Sequence, residues 1–310
     1  MLFVFLDFLK NVLGLSVREI WAVERFFEYL GKMFTSFSFK GFVSSLMVAV
    51  EMVLMLIFGL PTTPAGPELD LTGYQEVFCD EFDGETLNLD VWAHRGVGAR
   101  RCGYNAESQA FVRDGNLVIR GEYLKDGEFG EGWYTGAIKL IEQYEQGYFE
   151  IRCICNDSPG YWSAFWIQAN APYTASISQG GIGGAELDIF ESGCHSEGKS
   201  HNSVTHAIHC AGVDGVQEGF QSANLGKFYV DEPYTKYNTY GLKWTEDEYI
   251  FYINGVETVR STFGNGVSRV PEDVIVSLEI PDEGELDGFD KETFQTEMIV
   301  DYVKIYQEIT

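Results

Sequence analysis

From Tyr74 onward the chain is a succession of short apolar runs with a period near two, each broken by glycine, asparagine or aspartate. NLVIRGEYL, GAIKLIEQY, GYFEIRCIC, YWSAFWIQ, ELDIFES, YGLKWTEDEYIFYINGVETV, VIVSLEI and MIVDYVKIYQ each predict a strand or hairpin. Asn254-Gly255 lies between two such runs and predicts a type I′ turn. No long helical pattern interrupts them. About 240 residues of strand without helix can bury their apolar faces only against one another. The expected fold class is therefore all-β, a sandwich of two packed antiparallel sheets in one domain.

Charge divides the chain. Its 21 basic and 47 acidic side chains give −26, yet residues 1–63 hold five of each sign. The whole excess belongs to the remainder. The break coincides with Pro61, the first proline, in LPTTPAGPE. Pro61, Pro64 and Pro67 with Gly66 predict an extended, unpaired linker over residues 61–70, with the boundary near Glu68 and the strand domain over residues 71–310. Residues 1–60 predict a hydrophobic helical segment, with Asp7, Lys10, Arg18, Glu24, Glu28 and Lys32 at helical spacings. Gly41–Leu60 carries Glu51 as its single charge. Twenty helical residues span about 30 Å, enough for a bilayer core, although a glutamate at its centre is unfavourable. A membrane anchor or long export signal, a buried or interfacial helix, and non-native upstream sequence all remain open. An extracellular or cell-surface location is expected, with any membrane association through residues 1–60. A strongly acidic chain excludes nucleic acid as the main partner, because phosphate contacts need clustered lysine and arginine.

The six cysteines, at 79, 102, 153, 155, 194 and 210, form no CxxC pair and no zinc spacing. Most are expected as buried free thiols, with a disulfide open to some of them in an exported domain. Cys153 and Cys155 share one face of their strand.

The segment that points to chemistry is Gly184-Ala-Glu-Leu-Asp-Ile-Phe-Glu-Ser192. In a regular strand Glu186 and Asp188 share a face and Glu191 points away from it. One inserted residue, a β-bulge at Ile189-Phe190, returns Glu191 to the same side. Three carboxylates so placed cannot all ionise comfortably, so one pKa rises. An acid and a nucleophile near neutral pH need that arrangement, and two carboxyls about 5–5.5 Å apart suit retaining glycoside hydrolysis. A solvated edge-strand face and a calcium cluster are the alternative readings of the same three residues. Trp162 and Trp166, four apart, face the same way, and Tyr161, Trp92 and Trp133 are further candidates for exposed aromatic platforms under sugar rings.

Glu186-Leu-Asp-Ile-Phe-Glu191 resembles the signature of glycoside hydrolase family 16 in its bulged, laminarinase-like form. The resemblance extends over residues 74–307, through VFCDEFDGETLNLDVW, YNAESQAFVRDGNLVIRG, YTGAIKLIEQYEQGYFEIRCI, GYWSAFWIQA, NTYGLKWTEDEYIFYINGVE and MIVDYVKIYQ. It implies a jelly-roll, concanavalin A-like sandwich and an endo-acting retaining enzyme on neutral β-1,3- or mixed β-1,3/1,4-glucan. By motif position it implies Glu186 as nucleophile, Glu191 as acid/base and Asp188 as a hydrogen-bond partner of the nucleophile. Asn105, Trp162, Trp166, His209 and Trp133 are expected at the substrate, with His206 structural. The resemblance implies no catalytic cofactor, and a structural calcium on the convex face held by Asp301 with a ligand from the DEF region. The expected molecule is a monomer. Transglycosylation, hydrolysis of another β-linked polysaccharide and non-catalytic carbohydrate binding are the alternatives.

Two segments depart from the family pattern. PDEGELDGFD follows Ile280 where a Gly-Gly-Asn-Trp segment is common, so a substrate wall is missing or rebuilt. Its acids, Asp282, Glu283, Glu285, Asp287 and Asp290, are expected to repel sulfated or uronate-rich polymers. TASISQGGIGG is expected as a rim loop.

Overall fold

A computed structural model describes residues 61–169, 180–192, 202–211 and 220–309. The expected helical segment over residues 1–60, Cys194, and residues 174–179 of the rim loop lie outside them. No helix among the described residues is long and apolar enough to cross a membrane.

The alternating runs become two stacked sheets. The seven-stranded sheet runs from edge to edge through Phe220–Tyr229, Ser203–Ala211, Glu186–Glu191, Trp162–Gln168, Asp273–Glu279, Ala137–Leu140 and Trp92–His94. The eleven-stranded sheet is centred on Gly147–Ile154 and Gln295–Glu308. Nearly all pairings are antiparallel; Gly103–Asn105 runs parallel to Gly132–Thr135. Asn254 and Gly255 both have positive φ, 50° and 72°, and close the expected I′ hairpin.

Between the sheets lies one apolar core that includes Phe149, Phe165, Leu187, Ile189, Phe190, Leu242, Phe251, Val276, Val303 and Ile305. Phe190 stacks on Tyr240 with ring centroids 4.0 Å apart, tying the acidic strand to the opposite sheet. Cys153, Cys155 and Cys210 are buried free thiols; Cys79 is free and exposed and Cys102 free and partly buried.

The linker expectation is corrected. Residues 61–69 are extended, as three prolines dictate, but they are not unpaired. Thr62 donates to Lys227 O and accepts from Tyr229 N, while Gly66 and Leu69 donate to Glu257 O and Gly255 O. The segment thus lies along Phe220–Tyr229, the edge of one sheet, and Val256–Ser261, the edge of the other. Covering both edges satisfies backbone groups that would otherwise face solvent unpaired. Leu69 and Leu71 pack on Tyr148, Ile250 and Tyr252, so the folded unit includes residues before 71.

Candidate active site

The bulge is where the sequence places it. Opposite Trp162–Gln168, the register passes from Phe165↔Phe190 to Trp166↔Asp188, leaving Ile189 as the extra residue. On the other side it passes from Asp188↔Ala207 to Glu191↔Thr205. Ile189 and Phe190 enter the core, and Glu186, Asp188 and Glu191 all emerge on one cleft face. His206, fully buried, holds the bulge: its Nδ1 lies 2.5 Å from Ile189 O and its Nε2 lies 3.1 Å from Thr258 Oγ1. Burial pushes its pKa down to about 4, so the ring is neutral and Nδ1–H donates to the carbonyl. His206 is structural, as expected.

Arg100, Arg101, Trp162, Ala164, Trp166 and Glu279 complete the cleft around the three acids. Burial raises the Glu191 carboxyl to about 8, reinforced by the charge of Asp188 and opposed by a hydrogen bond from Trp162 Nε1 to Glu191 Oε1 of 3.1 Å. Glu191 therefore holds its proton at neutral pH. Burial likewise raises Asp188 to about 6, against the pull of His209. Asp188 Oδ2 lies 2.9 Å from His209 Nε2, and His209 Nδ1 lies 2.7 Å from Ser222 Oγ. Burial alone would lower His209; the bond and charge of Asp188, with Glu186 and Glu191, outweigh it and leave the pKa raised. Asp188, expected beside the nucleophile, has ligand atoms of Glu186 and His209 within 4.8 Å. Glu186 accepts from Gln168 Nε2.

The aromatic expectations divide. Trp162 is partly buried on the cleft, with the Arg101 guanidinium 4.8 Å from its ring centroid. Trp166 also lines the cleft, but only 7% of it is exposed: Arg95 lies 4.3 Å over its ring and its N–H reaches Ser277 Oγ at 3.1 Å. Trp133, Tyr161 and Trp92 are not platforms. Trp133 is buried edge-on against Tyr123 and Phe294, Tyr161 stacks on Phe294, and Trp92 packs between Phe78 and Phe82. All three belong to the core between the sheets. Asn105 is buried too; its Nδ2 donates to Arg95 O at 3.3 Å, and it lies behind the loop bearing the cleft arginines.

The sequence reading missed Arg95, Arg100, Arg101, Gln168 and Glu279. Gln168 was accessible to it, having the strand parity of Trp162 and Trp166. Arg100 ends the short strand Gly98–Arg100 and Arg101 opens the turn after it, and the hairpin they form with Gly103–Asn105 depends on the distant parallel pairing of that strand with Gly132–Thr135. Arg100 is held by Glu279 through Nε and Nη2 at 3.2 and 2.5 Å. The departing loop after Ile280 is docked on the fold: Pro281 O accepts from Cys102 N, and Leu286 is buried in the core.

Asp301 does not fit the calcium role. Calcium takes about six to eight oxygen ligands, whereas the Asp301 carboxylate accepts from Arg152, whose guanidinium lies 4.4 Å over Tyr237. Asp80, in the DEF region, accepts from Phe82 N and Trp92 Nε1, both at 2.8 Å. Among the described residues, Glu186, Asp188 and His209 are the acids and histidine close enough to share a cation. An imidazole already paired to a carboxylate is a poor partner for a hard ion.

A two-sheet sandwich with a bulged, triply acidic strand in a tryptophan-lined cleft narrows the possibilities. The model of Glycosyl hydrolases family 16 matches residues 104–304, well over half of the chain. The chain belongs to that family. This family 16 member is 25% identical over 188 residues to endo-1,3-1,4-beta-glycanase ExsH of Rhizobium meliloti, covering 57% of this chain and 34% of that protein, so it spans about a third of that relative's length. It is 25% identical over 260 residues to a beta-glucanase of Rhodothermus marinus, covering 76% of this chain and 85% of the relative. The fold is shared with SCLam, a non-specific endo-beta-1,3(4)-glucanase, at a TM-score of 0.64 and 22% identity, over 82% of this chain and 99% of that one.

Proposed function

We propose that this family 16 chain is a retaining endo-glycosidase that cleaves β-1,3- or mixed β-1,3/1,4-glucan. The observation that carries the proposal is the Ile189 bulge, which brings Glu186, Asp188 and Glu191 to one face with Glu191 protonated at neutral pH. The Glu186 carboxylate attacks the anomeric carbon while Glu191 gives its proton to the departing glycosidic oxygen. The glycosyl–Glu186 ester is then opened by water, whose proton passes to Glu191, restoring both groups. Asp188, paired with His209, supplies a fixed dipole between them. An open cleft on one sheet suits internal cleavage of a polymer, and the substrates named for the glucanase relatives accord with it. A polymer of that kind is met outside the cell, so an extracellular or cell-surface site of action belongs to the same proposal.

The test is product analysis with wild type and Glu186→Gln on laminarin, barley β-glucan, lichenan, agarose, carrageenan and xyloglucan. Wild type is expected to release oligosaccharides from the first three, and the variant to fold normally without activity. Normal turnover of glucan by the variant would overturn the assignment.

A second reading of the substrate is favoured by Arg101. This residue stands at φ 46°, a strained backbone for a non-glycine, with its guanidinium over Trp162 in the cleft. Its contact with the exposed Asp282 is long, 4.0 Å. A glucan bearing acidic substituents would meet that guanidinium, contrary to the repulsion expected from the acidic loop. Preferential cleavage of a carboxymethylated β-glucan over its neutral parent would decide for it.

A further inference from the structure

Gln168 occupies the register position opposite Glu186, on the face that carries Trp162 and Trp166. Its amide is held between two charged groups. Arg95 Nη2 donates to Gln168 Oε1 at 2.9 Å, and Gln168 Nε2 donates to Glu186 Oε2. A guanidinium offers donors only, so it fixes which end of the amide faces which neighbour. The oxygen faces Arg95, and the N–H must face the carboxylate. Arg95 is itself immobilised, with its guanidinium 4.3 Å over the Trp166 ring and its carbonyl accepting from Asn105 Nδ2.

We propose that Gln168, oriented by Arg95, is a positioning residue for the nucleophile. Anchoring Oε2 of Glu186 fixes the rotamer and so the direction of Oε1, the oxygen that forms the bond to the anomeric carbon. Reactivity of a positioned group falls steeply with small displacements, and loss of the anchor acts on the reacting complex more than on substrate capture. The proposal rests on the reading of Glu186 as nucleophile. It assigns the partly buried Arg95, stacked on the buried Trp166, a purpose: the indole supports the guanidinium that sets the amide.

The discriminating variant is Gln168→Glu, which keeps shape and volume, and an acceptor oxygen facing Arg95, but replaces the N–H with an acceptor facing Glu186. Gln168→Met keeps length and removes both hydrogen bonds. On barley β-glucan and on an aryl β-glycoside, both are expected to lose about tenfold or more in kcat with KM within about twofold. Arg95→Met is expected to lose less, and the double variant Arg95→Met/Gln168→Met no more than Gln168→Met alone, since both act through one carboxylate. Wild-type kcat in Gln168→Glu would show a space-filling role and overturn the proposal, as would additive losses in the double variant. The underlying reading is checked separately with Glu186→Ala and azide on the aryl glycoside. Recovery of an α-glycosyl azide supports Glu186 as nucleophile. Its absence would remove that assignment, whatever the Gln168 variants do.

Discussion

Trp162 donates its indole N–H to Glu191, linking the partly buried aromatic of the cleft to the carboxyl proposed as acid. The bond favours the charged form of Glu191, so it holds down a pKa that burial and Asp188 drive up to about 8. Trp162→Phe keeps the ring and removes the donor. The basic limb of kcat/KM should then move to higher pH, with about a tenfold loss at the optimum from a missing charge-assisted bond. A pH–rate profile checks this; an unmoved basic limb would detach Trp162 from the acid.

His206 fixes the bulge from beneath, and its burial gives a pH signature. The folded ring titrates near 4 against an ordinary value of 6.5. Between those values the unfolded chain binds the extra proton, so the stability tied to the neutral ring is complete above about 6.5 and is lost as pH falls towards 4. The difference corresponds to about 3 kcal/mol. Glu191 and Glu272, both raised to about 8, contribute in the opposite sense as pH falls from 8 towards 4.5. The His206 contribution is therefore read as wild type minus His206→Gln in urea unfolding at pH 7 and pH 4.5. That difference should shrink at the lower pH; a constant difference would contradict a buried neutral ring.

The strap over residues 61–69 makes a steric prediction. A Cβ on Gly66 would lie 2.6 Å from Glu257 O and 2.7 Å from Glu257 Cβ, both on an edge strand. Gly66→Val should lower stability by about 1–3 kcal/mol, the usual range for overpacking, visible as a lower Tm with kcat unchanged below it. A wild-type Tm would mean the strap is not docked.

Asp301 makes a prediction about metal. Its carboxylate is held by Arg152, so chelation with EDTA should leave Tm unchanged, and Arg152→Met should lower stability by less than about 1 kcal/mol, the range for a partly exposed pair. A chelation-induced fall in Tm that added calcium reverses would contradict this.

Much of the fold was legible because period-two alternation is local. The bulge was legible for a related reason: ExDxxE places Glu191 on the wrong face unless one residue is inserted, and burying a carboxylate in the core is too unfavourable. Parity fixed which aromatics share a face, but not what covers that face. Trp133 and Tyr161 needed Phe294, 133 residues or more along the chain, to become core. The partners of Thr62, Gly66 and Leu69 exist only once both sheet edges are placed. Arg101 reaches the cleft from a turn, and Arg95 reaches Gln168 and Trp166 from a loop, placements which no periodicity encodes.

In the proposed reaction Glu186 forms the covalent link. The most direct measurement is trapping with a 2-deoxy-2-fluoro-β-laminaribiosyl fluoride, followed by proteolysis and mass spectrometry. The predicted result is one glycosyl label per chain, on Glu186, with loss of activity in step with labelling. A label on another carboxylate, or complete turnover of glucan by an enzyme that never takes up label, would contradict it.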